Sequence, residues 1–360
     1  MILQYEPYIS DDDKQAVIDY IKTEGVWLTE FKETRKLEKK IADYLGMKYC
    51  SIVSNGTISL SLALLAGGIC PGDKVIVPNL TMIATATAVS LIGAIPILVD
   101  VAEDDSTLSY NEVLETLQYY PDIKALIYVS LNGRGKRYNL FQQFCKAHNI
   151  FYVTDDAQSL GSRLKTGEKI GNSPLSSFSF SMPKIITTGQ GGCLVTNDSY
   201  LYKKILKLRD FGREKSGIDY HPQFGINSKF TDLQAVVGIS QIQNIELKIQ
   251  QKKNIFFLYR EYLKNIKNIS FIDTDLEYTT PWFVDVYVEK KLELIEYLKS
   301  ENIGTRPIYP PIHTQGEYRN KRKYPVSSNF SEKGLWLPSS LTLTKENIAF
   351  ICEKIERFYQ

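Results

Sequence analysis

Asp155 and Lys184 are the residues of this sequence whose types and surroundings most suggest chemistry. Phe151 to Val153 is a short apolar run ending at an acidic pair, Asp155 and Asp156, the pattern of a buried strand that delivers carboxylates at its C-terminal edge. A second apolar and serine run, Ser177 to Phe180, leads to Lys184, and Gly189, Gly191 and Gly192 follow within eight residues. Glycines at that density let a chain turn with positive φ or pass close to another group, and they leave space around the lysine. Any single aspartate and lysine would be read as a surface ion pair; the coincidence of features argues otherwise. An acid on a strand end and an amine on the next irregular segment suit pyridoxal phosphate, which needs a counter-charge for its ring nitrogen and a covalent tether for its aldehyde.

These groups need elements to hold them. Tyr49 to Val53 reads as a strand, Ser54 to Thr57 as a turn and Ile58 to Ala66 as a helix, so unpaired N–H groups and the helix dipole would present an anion site for the cofactor phosphate. Upstream, Ser10 to Thr23 predicts a helix with Val17, Ile18 and Ile21 on one face, and Phe31 to Leu45 a second. Downstream, strands Lys74 to Val77, Ile95 to Val99, Ala125 to Val129 and Phe151 to Val153 alternate with helices at Asn111 to Tyr119 and Leu140 to His148, which predicts right-handed βαβ units and a largely parallel sheet. Gly212 to His221 is polar and reads as a mobile loop. A long helical pattern runs from Asp232 to about Lys264; beyond it lie an alternating strand, Pro281 to Val288, and helices Glu293 to Ser300 and Lys345 to Phe358. Asp156 reads as structural.

A chain of 360 residues is long enough for about two cores. With 43 Lys and Arg against 41 Asp and Glu there is no basic field to argue for nucleic acid. The five cysteines lack metal-like spacing and the three histidines do not pair at helical spacing, so no metal site is expected. MILQYEPYISDDDKQ has no signal-like region, and no run of about 18 apolar residues occurs; both predict a cytoplasmic protein without a membrane span.

The series Asp155-x-x-Gln158, Ser177-Phe178-Ser179-Phe180 with Lys184 five residues after Ser179, and Thr188-Gly189-Gln190-Gly191-Gly192 resembles the DegT/DnrJ/EryC1/StrS family of sugar aminotransferases, whose pattern reads D-x-x-Q, S-F-S-F-x-x-x-K and T-G-E/D-G-G. The resemblance covers nearly the whole chain, and KIITTGQGG looks most like the perosamine synthase branch. It implies an α/β protein of PLP fold type I, aspartate aminotransferase-like: a large domain, residues 1–243, with a mixed, mostly parallel sheet, and a smaller C-terminal α+β domain, residues 244–360.

The resemblance also implies roles. Lys184 would tether pyridoxal phosphate as an aldimine and then move a proton, while Asp155 keeps the ring nitrogen protonated. Gln158 would contact the ring or its phenolic oxygen, and Gly56, Thr57 and Ser179 the phosphate. Gly225 to Ala235 is similar to G-x-N-x-R/K-M-x-D-x-Q-A, which gives Asn227 the phosphate of the neighbouring subunit and makes a homodimer obligatory for activity. Asn79 to Thr85 matches a segment whose second aromatic stacks on the pyridine; this chain has Met82 there, and a thioether can also lie against a ring face. Trp27 would lie near the substrate entrance, and Arg306, Tyr309 and His313 fall in a run like T-R-P-x-x-x-P-x-H that overhangs the sugar. The turn Ser130 to Arg134 reads SLNGR where relatives commonly show H-x-Y-G, and Arg134 on it is expected to be exposed and structural.

The implied activity is amino transfer from L-glutamate to a nucleotide-linked keto sugar, by the KIITTGQGG segment a 4-keto-6-deoxy hexose for a surface glycan such as lipopolysaccharide O antigen, or for an antibiotic. Retention of Lys184 argues against the related dehydratases, which carry a histidine there. The alternative is a catalytically silent regulatory or binding relative, which the complete set of cofactor residues disfavours.

Overall fold

The computed structural model describes residues 1–215 and 217–360; Ser216, within the segment 212–221 read as a loop, lies outside the described residues. Among the described residues the larger sheet has seven strands, β1 (Tyr49–Val53), β2 (Lys74–Pro78), β3 (Ile95–Val99), β4 (Ile123–Val129), β5 (Phe151–Asp155), β6 (Ser176–Ser179) and β7 (Gly192–Thr196), in the order β1-β7-β6-β5-β4-β2-β3. β7 runs antiparallel to β1 and β6, and the remaining pairs are parallel. This is the mixed, mostly parallel α/β sheet expected from the alternation of elements.

Both faces of the sheet are covered, and its strands show why. Along β2, Val75 and Val77 join Leu60, Leu64 and Val153 in one apolar cluster, while Ile76 joins Leu126, Tyr128 and Phe141 in another. Successive side chains point to opposite faces, so a strand buried on both sides must be apolar at every position. The covering helices are α2 (Lys32–Leu45), α3 (Gly56–Ala66), α4 (Ala84–Leu91), α5 (Tyr110–Tyr119), α6 (Tyr138–Ala147), α7 (Ser199–Leu208) and α8 (Asp232–Gln243), and α1 (Asp11–Lys22) packs on α8. The parallel strands β2, β4 and β5 end on one edge, where crossover loops leave a crevice.

α9 (Ile245–Leu263) carries the chain into a second unit of β8 (Ile269–Phe271), β9 (Val284–Val288), α10 (Lys291–Ser300), β10 (Arg306–Pro307), α11 (Pro325–Lys333), β11 (Gly334–Leu337) and α12 (Lys345–Tyr359). Its four strands form an antiparallel sheet in the order β10-β11-β9-β8. The continuous helix expected over 232–264 is broken at Asn244, next to the boundary we propose at 243/244. α9 spans both units: Ile245 and Ile249 pack with Leu37 and Ile41, whereas Ile255, Phe256 and Tyr259 pack with Val286 and Leu335.

Other differences have local causes. α3 begins at Gly56 rather than Ile58, because the Asn55 side chain caps it by accepting from Ile58 N at 2.9 Å. α4 was not expected from its short, threonine-rich sequence; burial of Ala86, Ala88 and Val89 against α3 overrides weak propensity. On α1, Ile18 and Ile21 are exposed rather than packed inward. Arg134 is structural but buried, not exposed: its guanidinium makes two 2.7 Å bonds to Asp285 of β9 and further bonds to Thr274 and the Asp273 carbonyl.

Candidate active site

A cleft of about 620 Å3 opens at the C-terminal edge of the sheet, with Asp155 and Lys184 both in its wall. One end is the start of α3. The Asn55 side chain serves Ile58 N, whereas the first-turn N–H groups of Gly56 and Thr57 have no partner within the helix, and both residues line the cleft beside Ser179. A Cβ on Gly56 would lie 3.0 Å from the Ser179 Cβ, so the close approach of α3 to the end of β6 depends on this glycine. Free N–H groups, a hydroxyl and the positive end of a helix dipole together make an anion site.

β5 delivers Asp155 to the floor of the cleft, where it is buried. Burial raises its carboxyl above the ordinary range; a 2.8 Å hydrogen bond from Thr85 Oγ1, the Lys184 charge and the Ala157 N–H pull it back. Thr85 is itself within 3.1 Å of Thr81 Oγ1. Asp156 faces away, bonded to Ser130, Thr154 and Tyr138, and burial lifts it to about 7; it is structural, as expected. The alternation of side chains along a strand thus gives two adjacent acids separate duties.

Lys184 lies in the connection between β6 and β7, held by its N–H to Ser181 O at 3.0 Å, while Gly189 makes the left-handed turn (φ 77°) that brings the chain back. Desolvation pulls its ammonium down to about 8; Asp155 pushes it up and Arg306 down. The Lys184 Nζ sits 4.3 Å from the centroid of the Trp282 ring, whose indole N–H donates to Pro183 O at 2.5 Å. A lysine held near 8 has about a tenth of its amine unprotonated at pH 7, against less than about a thousandth at its ordinary value, and can act as nucleophile or base.

Gln158 also lines the cleft. Its Oε1 accepts from Asn132 N at 2.8 Å, which orients its Nε2 toward the Tyr309 hydroxyl at 3.3 Å. Met82 and Arg306 complete the mouth, both exposed, and Arg306 has no ion pair among the described residues. Gly56, Thr57, Met82, Asp155, Gln158, Ser179, Lys184, Arg306 and Tyr309 are therefore assembled around one cleft.

Trp27, Asn227 and His313 do not line it. Trp27 is 55 % exposed beside Phe31. Asn227 is exposed, with its Oδ1 accepting from Lys229 N. His313 is anchored to Asn79 and packed on Tyr324, and desolvation lowers its pKa while Asp100 opposes. Conversely, Thr85, Asn132, Lys252 and Trp282 shape the site without having been singled out for it. Thr85 had a signal, since it closes the segment read as cofactor-facing; the others had none.

The residues present fit pyridoxal phosphate: an anion site, a buried carboxylate and a lysine with lowered proton affinity share one cleft. Comparison with known proteins agrees. The profile of the DegT/DnrJ/EryC1/StrS aminotransferase family matches residues 7–356. A GDP-perosamine synthase of Escherichia coli O157:H7 is 32 % identical over 361 residues, covering 99 % of this chain and 98 % of that protein. Among solved structures, S. venezuelae DesV superposes with a TM-score of 0.90 at 27 % identity, covering 97 % of this chain and 94 % of that one. The PLP form of the sugar aminotransferase Spr1654 from Streptococcus pneumoniae gives 0.90 at 25 % identity, covering 98 % and 97 %.

Proposed function

Since the chain belongs to the DegT/DnrJ/EryC1/StrS aminotransferase family and is a pyridoxal phosphate enzyme, we propose that it moves an amino group from L-glutamate to the keto group of a nucleotide-linked 4-keto-6-deoxy sugar. The observation that carries the reading is the single cleft in which Lys184, Asp155 and the start of α3 meet. Likeness to a GDP-perosamine synthase supports the sugar class.

When bound, pyridoxal phosphate supplies an electron sink and carries the amino group between donor and acceptor. Gly56 and Thr57 N–H groups and Ser179 hold its phosphate. Asp155, fixed by Thr85, keeps a proton on the ring nitrogen. Lys184 would hold the aldehyde carbon, and its amine would take and return the substrate's Cα proton; a proton affinity near 8 suits both directions. Arg306 binds an anionic group of the substrate, and Met82 covers the ring. We assign Trp27 and His313 to the substrate side and Asn227 to the phosphate of a partner subunit's cofactor. Support for a homodimer comes from the exposed apolar side chains Ile18, Ile21, Trp27, Leu28 and Phe31.

A spectral titration tests this: the glutamate-reduced enzyme is mixed with a panel of keto nucleotide sugars. Return of the starting spectrum with a 4-keto-6-deoxy sugar is expected, and a response to none of the panel rejects the acceptor class.

A further inference from the structure

The turn after β4, which departs from the family pattern, grips the backbone of the second unit. Asn132 sits in the left-handed region (φ 53°, ψ 30°) with its side chain buried, a conformation that asparagine tolerates. Its Nδ2 donates to Phe283 O at 2.9 Å and its Oδ1 accepts from Phe283 N at 2.8 Å. This reciprocal pairing uses a donor and an acceptor on separate atoms of one short side chain, which the primary amide of asparagine supplies. The neighbouring Gly133 allows the approach: a Cβ there would lie 2.3 Å from Thr280 O.

The gripped segment carries Trp282. Its carbonyl accepts from Lys252 Nζ at 3.0 Å, its indole N–H donates to Pro183 O, and the Phe283 ring stacks on it at 3.9 Å. The indole is thereby held as a wall beside Lys184 Nζ. We infer that Asn132 is a positioning residue for Lys184: by pinning Phe283 on both sides it seats Trp282 against the amine and shields that amine from water. The inference deepens the reading of Lys184 as the tethering amine and rests on it.

Opening the wall should raise the proton affinity of Lys184. Its value lies below the ordinary 10.5 although Asp155 favours the cation, as does a ring face, so desolvation outweighs both. Asp155, Arg306, Tyr309 and Lys252 also face this part of the site, and the Tyr5 hydroxyl donates to Met182 O; none bonds to Asn132.

The test labels the full-length protein, freed of cofactor, with an amine-selective acylating reagent from about pH 6 to about pH 11, and reads Lys184 by peptide mass spectrometry. A midpoint near 8 is expected for the unaltered chain. Asn132→Ala and Trp282→Ala should each raise it by about one unit, and the double variant no further than Trp282→Ala alone. Asn132→Asp, isosteric but placing a carboxylate against Phe283 O, should shift the same way and replaces the alanine variant if that fails to fold by circular dichroism. An unchanged midpoint in any folded member of the series, or additive shifts in the double variant, overturns the inference. Failure of the proposed function would instead show as an unaltered chain that binds no pyridoxal phosphate while the labelling shift persists.

Discussion

Gly192 on β7 and Gly56 at the start of α3 meet backbone to backbone: a Cβ on Gly192 would lie 2.7 Å from both Gly56 N and Asn55 C. Strand β7 therefore presses the anion-binding turn into place, and no side chain can intervene. Gly192→Ala should displace the turn, weaken pyridoxal phosphate binding about tenfold and cost about 1–3 kcal/mol of stability. Comparing phosphorylated with unphosphorylated cofactor by fluorescence titration isolates the turn. The preference for the phosphate should shrink, and an undiminished preference would place the anion elsewhere.

Lys184→Ala removes both tether and base. Turnover should fall by at least about a thousandfold, and borohydride treatment should no longer fix cofactor mass to the chain. Normal turnover by this variant would refute the mechanism.

Asp155→Asn keeps the size of the side chain but removes the charge facing the ring nitrogen. Turnover should drop about 100- to 1,000-fold. The cofactor-free protein should not melt earlier, because burial already disfavours the carboxylate's charge. A large loss of melting temperature would mean that Asp155 is mainly structural.

Lys252 is buried with no acidic partner among the described residues, and burial lowers it to about 7. As a neutral amine its two N–H groups match the two carbonyls it meets, Trp282 O and Ser339 O. Below about pH 7 folded and unfolded chains both carry the proton; between 7 and 10.5 only the unfolded chain does, so rising pH favours the fold. This one group should contribute about 1.4 kcal/mol per pH unit across that window. Urea unfolding of the parent and of Lys252→Met at several pH values reads the difference, which cancels the like-signed slopes of Lys184 and Lys248. Equal slopes would show that Lys252 stays charged in the fold.

Arg134 and Asp285, each 3 % exposed at the side chain, tie the turn after β4 to β9. Arg134→Met leaves a buried carboxylate unpaired and should cost about 3–5 kcal/mol, measured by denaturant unfolding. Asp285→Asn, which keeps hydrogen bonding without the charge, should cost less.

Much of the site was legible in the linear order of residues. Asp155 ends an apolar run, Lys184 precedes three glycines within eight residues, and Gly56 and Thr57 open a helix after a strand. Each is a local pattern, because strand ends and helix starts are made by neighbouring residues. The two adjacent acids could also be told apart by strand alternation once β5 was recognised. Arg134 was misread as exposed because its partner, Asp285, lies 151 residues away. α4 was missed because burial, not propensity, makes it a helix.

By itself the sequence determined which side chains carry charge, amine and hydroxyl, and that strand edges and helix starts would present them together, since these follow from short-range spacing and backbone geometry. Only the tertiary structure decided what surrounds the amine. Asn132, Lys252 and Trp282 act through backbone carbonyls and amides far along the chain, and every residue carries those groups, so no pattern of residue types could announce which would be chosen.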